Sequence, residues 1–265
     1  MKKKITIYNI LLTIFALIFA AACFFLVKEL VERRQAAVYM ASLQSEYVPT
    51  IPTLPDTGSK VPEAGDAPVE EEAPVTMDQT STANPSIQKL VSDYPDVVGW
   101  LTVEGANISH PFVQTDDNSS YLWADLDHKF INGGTLFMDY YNSKDCSDKI
   151  TVIYGHNMKN GSMFGQLKKY LDFDYITENS DVYISFPEST AHYTAVACFV
   201  VDGANNIIFD SIGEKEDVQD VVDYICANTK VNPDVAMDGS SDILVLSTCH
   251  GSYETARTLL ICIAD

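Results

Sequence analysis

Hydrophobic positions fall into three regimes along the chain. Residues 5–27, ITIYNILLTIFALIFAAACFFLV, form an apolar run with no charge. At about 1.5 Å rise per residue such a run crosses a hydrocarbon core of roughly 30 Å, so it predicts a single transmembrane helix. Residues 28–42 continue as a short polar helix, and residues 43–84 lose the pattern. That stretch holds most of the prolines, few aromatics and many acids, the composition of a flexible, solvated linker. From Pro85 onward the pattern turns globular. Asn84 is placed to cap a helix with Pro85 at its first position. Eight short runs rich in Val, Ile, Tyr, Phe and Thr then alternate with turns: WLTV, ANISHPFVQ, GGTLFMDY, KITVIYGH, DVYISF, HYTAVACFVV, ILVLST and RTLLICIA. They predict a mainly β domain, a largely antiparallel barrel or sandwich. The segment EKEDVQDVVDYICANTK, residues 214–230, predicts a helix with Val218, Val221, Val222, Ile225 and Cys226 on one face. SMFGQLKKYL is a shorter helical candidate. The expected organisation is a cytoplasmic N-terminus (1–4), an anchor (5–27), a juxtamembrane helix and linker (28–84) and a globular domain (85–265).

Charge sharpens this division. The 265 residues carry a formal net charge of −20, yet the portion through Arg34 holds six Lys/Arg against two Glu. The remainder has eleven Lys/Arg against thirty-five Asp/Glu, a balance of −24, which excludes nucleic-acid binding through a basic face. Lys and Arg nearly tie across the two flanks of the apolar run. The long acidic portion favours an orientation with the N-terminus inside and the domain outside, a single-pass protein of the cell membrane with its globular domain extracellular. Ala20-Ala21-Ala22 before Cys23 would also suit cleavage or lipidation, but FFLV directly after favours an uncleaved anchor. The six cysteines show no CxxC pair and no metal-ligand spacing. Cys198, Cys226 and Cys262 read as small core residues, and no metal or other cofactor is expected.

Cys249 reads differently. It ends the apolar strand ILVLST, seven residues follow, and a second strand opens with Arg257, so a hairpin would make thiol and guanidinium neighbours. Arg257 is the only arginine after Arg34, although ten lysines serve the same stretch. A chain that uses the guanidinium fork once in this way points to a specific need for it, the alternative being an ordinary ion pair. A third element is ITVIYGHNMKNGSMFG, where a strand ends at Tyr154, Gly155 permits a turn and His156 emerges. His250, next to Cys249, would face the other side of the strand. Together Cys, His and Arg suit acyl transfer. A thiolate is the nucleophile, the imidazole moves protons on and off amines, and a fixed guanidinium stabilises the oxyanion.

On these motifs the chain resembles the sortases, cysteine transpeptidases of Gram-positive cell surfaces, and class B in particular. DVVGWLTVEGANISHPFVQTDDNSSYLWADLDHKFINGGTLFMDYYN, ITVIYGHNMKNGSMFGQLKKY and ILVLSTCHGSYETARTLL carry the resemblance, over roughly residues 86–265. It implies an eight-stranded sortase-type β-barrel with N-terminal helices and a helix inserted before the cysteine-bearing strand. It implies His156, Cys249 and Arg257 as catalytic residues, with Ser247, Thr248 and Asn118 contacting substrate. The implied partners are secreted proteins bearing a sorting motif and an amine of peptidoglycan, of a lipid-linked precursor or of a pilin. His250 departs from the acidic or polar residue usual after the cysteine. Two other readings use the same residues: a membrane-tethered cysteine protease, or a surface binding module whose Cys249 is inert.

The linker itself contains Leu54-Pro55-Asp56-Thr57-Gly58, a match to the best-known sortase recognition pattern. No apolar segment and basic tail follow it, as they would in a sorting signal. A spacer of some forty residues spans roughly 35 Å, and tethering gives an effective concentration on the order of millimolar. The segment is therefore either a cis-acting pseudosubstrate or a chance match in a Pro/Thr-rich spacer.

Overall fold

The computed structural model describes residues 2–51, 83–204 and 206–265, with side chains from residue 7; the Leu54–Gly58 segment lies outside the described residues. Its elements are α1 (Lys2–Tyr47), α2 (Pro85–Asp93), β1 (Val97–Val103), β2 (Ile108–Val113), β3 (Leu136–Met138), β4 (Ile150–Tyr154), α3 (Phe173–Glu178), β5 (Asp181–Ser185), β6 (Thr190–Asp202), α4 (Ile207–Asp210), α5 (Gln219–Asn228), β7 (Ile243–Cys249) and β8 (Ala256–Ala264). SMFGQLKKYL forms one 3₁₀ turn over Leu167–Leu171.

The eight strands close into a barrel in the order β1-β2-β3-β4-β7-β8-β6-β5. Pairs β2–β3 and β4–β7 are parallel and the others antiparallel. A parallel pair cannot be joined by a tight turn and needs a long crossover. The crossover between β2 and β3 carries Asn118, Leu122 and Trp123 to one end of the barrel, and that between β4 and β7 contains α3, β5, β6, α4 and α5.

Period-2 alternation sorts each strand onto two covered faces. Leu101, Phe112, Leu136, Ile153, Ile184, Leu244, Leu246 and Leu260 fill the interior. Their neighbours Val152, Val245, Leu259 and Ile261 face outward under Val221, Val222 and Ile225 of α5. On another side Trp100, Val113 and Phe137 pack against Ile87 and Leu90 of α2 and Leu43 and Tyr47 of α1. Both faces are thus apolar, which is why β1 is buried at every position.

Four local features differ from the sequence reading. First, α1 runs to Tyr47, so residues 43–47 are helix rather than linker: Leu43 and Tyr47 are buried, the Tyr47 hydroxyl donates to Asp93 at 2.8 Å, and Gln44 Nε2 donates to the Ser109 carbonyl at 2.9 Å. The helix that begins with the apolar run therefore docks directly on the barrel. Leu43→Ala should cost about 2–4 kcal/mol in urea denaturation, because the site is closed by α2 and β1. Second, Asn84 stands at the N-cap of α2 but makes no side-chain cap; its Nδ2 donates to the Phe186 and Ser189 carbonyls of the β5–β6 turn at 3.0 and 3.1 Å. Third, α5 is shorter than 214–230: Asp217 Oδ1 accepts from Gln219 N at 2.7 Å, holding a turn before it, and Thr229 at its end is extended. Fourth, Cys226 is exposed, since one residue past Ile225 the helix has turned by about 100°. Cys198 and Cys262 are buried, and burial pushes both thiols up.

The apolar part of α1 stays uncovered. Its most apolar window has a mean hydropathy of 3.0 with none of it buried, which makes it a candidate membrane span.

His110 on β2 is buried, and its Nδ1 has no hydrogen-bond partner. Burial lowers its pKa from 6.5 to about 4. The sign follows from linkage. Between these values the unfolded chain holds a proton that the folded one lacks, so stability is complete above about pH 6.5 and falls as pH drops toward 4. About 3 kcal/mol should be lost across that window, read as the pH dependence of the urea midpoint, and His110→Gln should flatten that part of it.

Candidate active site

Three adjacent strands each carry an outward apolar row that ends in a polar group. On β7 the row is Ile243, Val245, Ser247, Cys249; on β8 it is Ile263, Ile261, Leu259, Arg257; on β4 it is Ile150, Val152, Tyr154. The apolar members form one cluster roofed by α5. Where that roof stops, the row ends open into a cavity of about 550 Å³ bordered by Phe209 and Ile212. Alternation thus delivers thiol, guanidinium and phenol to one place, and His156 reaches the same cavity two residues beyond Tyr154.

The register fixes their relation. Cys249 and Arg257 are direct partners across β7–β8, and Tyr154 pairs with Ser247 across β4–β7. The strand ends around His156 are stitched together: Gly155 N donates to the Ser247 carbonyl at 3.2 Å, the Thr248 hydroxyl to the Gly155 carbonyl at 2.7 Å, and Asn157 Nδ2 to the Cys249 carbonyl at 2.8 Å. The imidazole is held by the β2–β3 crossover. Its Nε2 lies 2.8 Å from the Leu122 carbonyl, and its ring is 4.4 Å from that of Trp123, centroid to centroid. A carbonyl can only accept, so Nε2 carries the proton and Nδ1 is the nitrogen left for chemistry.

Backbone also aims Arg257. Its Nη1 donates to the carbonyls of Glu254 and Ala256 at 3.2 and 3.0 Å. Gly203 makes room for the stem, since a Cβ there would sit 2.7 Å from Arg257 Cγ. Gly155 is equally constrained: a Cβ would meet Leu136 and Phe164 side chains at 2.5 and 2.8 Å, both fully buried. Gly155→Ala should destabilise by about 1–3 kcal/mol. By displacing the turn that carries His156, it should also slow transfer by about tenfold to a hundredfold, as thermal melts and a peptide-transfer assay would show.

The opposite wall centres on Asp139, which is buried. Its Oδ2 accepts from Asn118 Nδ2 at 2.8 Å and from the Tyr154 hydroxyl at 2.9 Å, and its Oδ1 accepts from Tyr141 N at 3.0 Å. Burial first, then Asp139, raises the Tyr154 pKa, which keeps the phenol a donor. Asn118 Oδ1 accepts from Tyr140 N at 3.1 Å, so both ends of its amide are engaged. Ser247 Oγ is buried in the cavity wall without a partner. His250 does not line the cavity; its Nδ1 lies 2.9 Å from the Thr258 hydroxyl.

The cavity therefore gathers Cys249, His156, Arg257, Asn118, Ser247 and Thr248. Sequence reasoning did not single out Asp139, Asn157 or Trp123. The last offered a signal, being one of two tryptophans in the chain.

The sortase domain family matches residues 101–265. Sortase B of Listeria monocytogenes is 32% identical over 178 residues, which are 66% of this chain and 70% of that protein. Among solved structures, sortase B from B. anthracis superposes with a TM-score of 0.66 at 23% identity, over 87% of this chain and 96% of that one. A Staphylococcus aureus sortase B–substrate complex gives 0.62 at 23% identity, over 69% and 86%. The structural likenesses speak for the barrel, and the domain match with the Listeria relative speaks for descent. The chain belongs to the sortase family, with class B relatives, and is by that membership a cysteine transpeptidase.

Proposed function

We propose that the protein cleaves a short sorting motif near the C-terminus of secreted proteins and transfers the acyl fragment to an amine of peptidoglycan, of its lipid-linked precursor or of a pilin. Cys249 Sγ attacks the scissile carbonyl, and the electron pair of the C=O bond moves onto oxygen. Arg257 stabilises that oxyanion with the guanidinium edge its carbonyl bonds leave free. As the C–N bond breaks, protonated His156 gives its Nδ1 proton to the leaving amine, and a thioester on Cys249 remains. The incoming amine then attacks, returns a proton to Nδ1, and the thiolate departs. Through both halves Nε2–H keeps its bond to the Leu122 carbonyl, so the ring need not reorient.

Substrate contacts fall to Ser247, whose hydroxyl lacks a partner, and to Asn118 on the Asp139 side. Thr248 shapes the wall, its hydroxyl committed to Gly155. The chain sits in the cell membrane through residues 5–27, with the barrel outside, where secreted substrates emerge.

The observation that carries this reading is the convergence of Cys249, Arg257 and His156 on one cavity. It is tested by incubating the purified chain with a library of sorting peptides, with and without an added amine, and analysing the products. A new amide formed at the expense of free acid is expected. Free acid alone, at a rate indifferent to the amine, would make the protein a hydrolase.

A further inference from the structure

His156 is flanked in space by two loops, and both lie against α1. The first, the hairpin from Trp123 to Ile131, supplies the stacking partner of the imidazole. Its Phe130 forms with Glu32, Gln35 and Tyr39 of α1 a cleft of about 210 Å³. Its Leu126 N donates to the Tyr39 hydroxyl at 3.0 Å. The second loop, which follows Asn157, brings Asn160 and Ser162 to Arg33 around a smaller cavity of about 90 Å³.

The hairpin presents apolar surface where none is needed for folding. Trp123 is 51% and Phe130 67% exposed, and their rings are stacked at 6.5 Å and 16°. The display is fixed: Ala124 bridges Phe130, Ile131 N donates to the Trp123 carbonyl at 3.0 Å, and Asp125 Oδ1 accepts from Asp127 N and Lys129 N, both at 2.9 Å. Exposed aromatics on a rigid hairpin mark an interaction surface.

Position along α1 identifies the partner. At about 1.5 Å per residue, Glu32 lies about 8 Å and Tyr39 about 18 Å beyond Val27, the last residue of the apolar run. The headgroup zone adds about 5–8 Å to each side of the hydrocarbon core, and an average helix tilt of about 20° lowers one flank further. Phe130, beside Glu32, is therefore at the depth where amphipathic rings partition. Charge agrees. Residues 28–39 carry Lys28, Arg33 and Arg34 against Glu29 and Glu32, whereas the chain after Arg34 has a balance of −24. Asp127 of the hairpin pairs with Lys129 at 3.2 Å. An acidic body is repelled by anionic headgroups except where that excess is interrupted.

We propose that Trp123 and Phe130 form a membrane seat. The pair enters the headgroup layer of the phospholipid bilayer, fixes the rotation of the barrel about α1 and turns the His156 side of the cavity toward the membrane surface. The inference rests on the reading of α1 as the anchor.

The chain's own fluorescence tests it, because of its two tryptophans Trp100 is fully buried. The full chain is placed in vesicles of equal parts phosphatidylcholine and phosphatidylglycerol, with a spin label either near the headgroup or at mid-chain. The shallow label should quench the emission assigned to Trp123 by on the order of half, the mid-chain label far less, with Trp123→Phe defining the signal. Phe130→Asp should remove most of that quenching while leaving hydrolysis of a soluble peptide in detergent unchanged. Flotation of the vesicles separates the two claims. A chain that floats but shows no Trp123 quenching, or quenching that Phe130→Asp leaves intact, overturns the seat and spares the anchor. A chain that does not float overturns the anchor, and the seat with it.

Discussion

Replacing Cys249 with alanine should abolish peptide cleavage and transfer, a loss on the order of 10⁴-fold or more, while unfolding free energy changes by about 0.5 kcal/mol or less. The asymmetry comes from position. Cys249 is the exposed last residue of β7, past the buried stretch Ile243–Thr248 that packs the barrel and the α5 face. Removing Sγ leaves no cavity in the core, yet it removes the only thiol among the described residues that line the site. Cys226 supplies an internal control, being exposed as well but on α5. Cys226→Ala should leave both rate and stability unchanged. Urea denaturation and a peptide-transfer assay on the same preparations would measure all four quantities.

Arg257→Lys should be almost as damaging as Arg257→Ala, each lowering the transfer rate by about 10²–10³-fold. A point charge does not replace this guanidinium. Two backbone carbonyls, of Glu254 and Ala256, hold Nη1, and the Gly203 backbone packs on the stem, so the fork is aimed before substrate arrives. Lysine has one rotatable ammonium at the end of a flexible chain and would spend its donors on those same carbonyls. The loss should fall on kcat more than on KM, because the oxyanion exists only after attack. Steady-state kinetics of the three proteins decide the matter. Full activity of Arg257→Lys would mean that charge alone is required.

Much of this site could be read from the sequence because strand alternation is local. Cys249, Arg257 and Tyr154 each stand at the end of an every-other-residue apolar row, and a row continues in the direction it starts. The same logic put His250 on the other side of β7, and its bond to Thr258 agrees. What escaped depends on contacts between distant segments. Asp139 owes its place to Asn118 from the β2–β3 crossover and Tyr154 from β4, and nothing near residue 139 announces this. Asn84 has the composition of a cap, but the β5–β6 turn competes for its amide. The end of α1 was hidden in a different way. Tyr39, Leu43 and Tyr47 recur at four-residue spacing, a single narrow stripe among small, apolar and polar neighbours, too thin to stand out until α2 and β1 are seen against it. The parallel pairings of β2 with β3 and β4 with β7 likewise leave no trace in either strand's own pattern.

Trapping the acyl-enzyme tests the central claim most directly. The chain is mixed with a cleavable sorting peptide in the absence of amine, quenched in acid, digested and analysed by mass spectrometry. A thioester on the peptide containing Cys249, discharged when amine is added before the quench, is the predicted result. Turnover with no acyl adduct on Cys249, or an adduct on Cys146 or Cys226 instead, would contradict it.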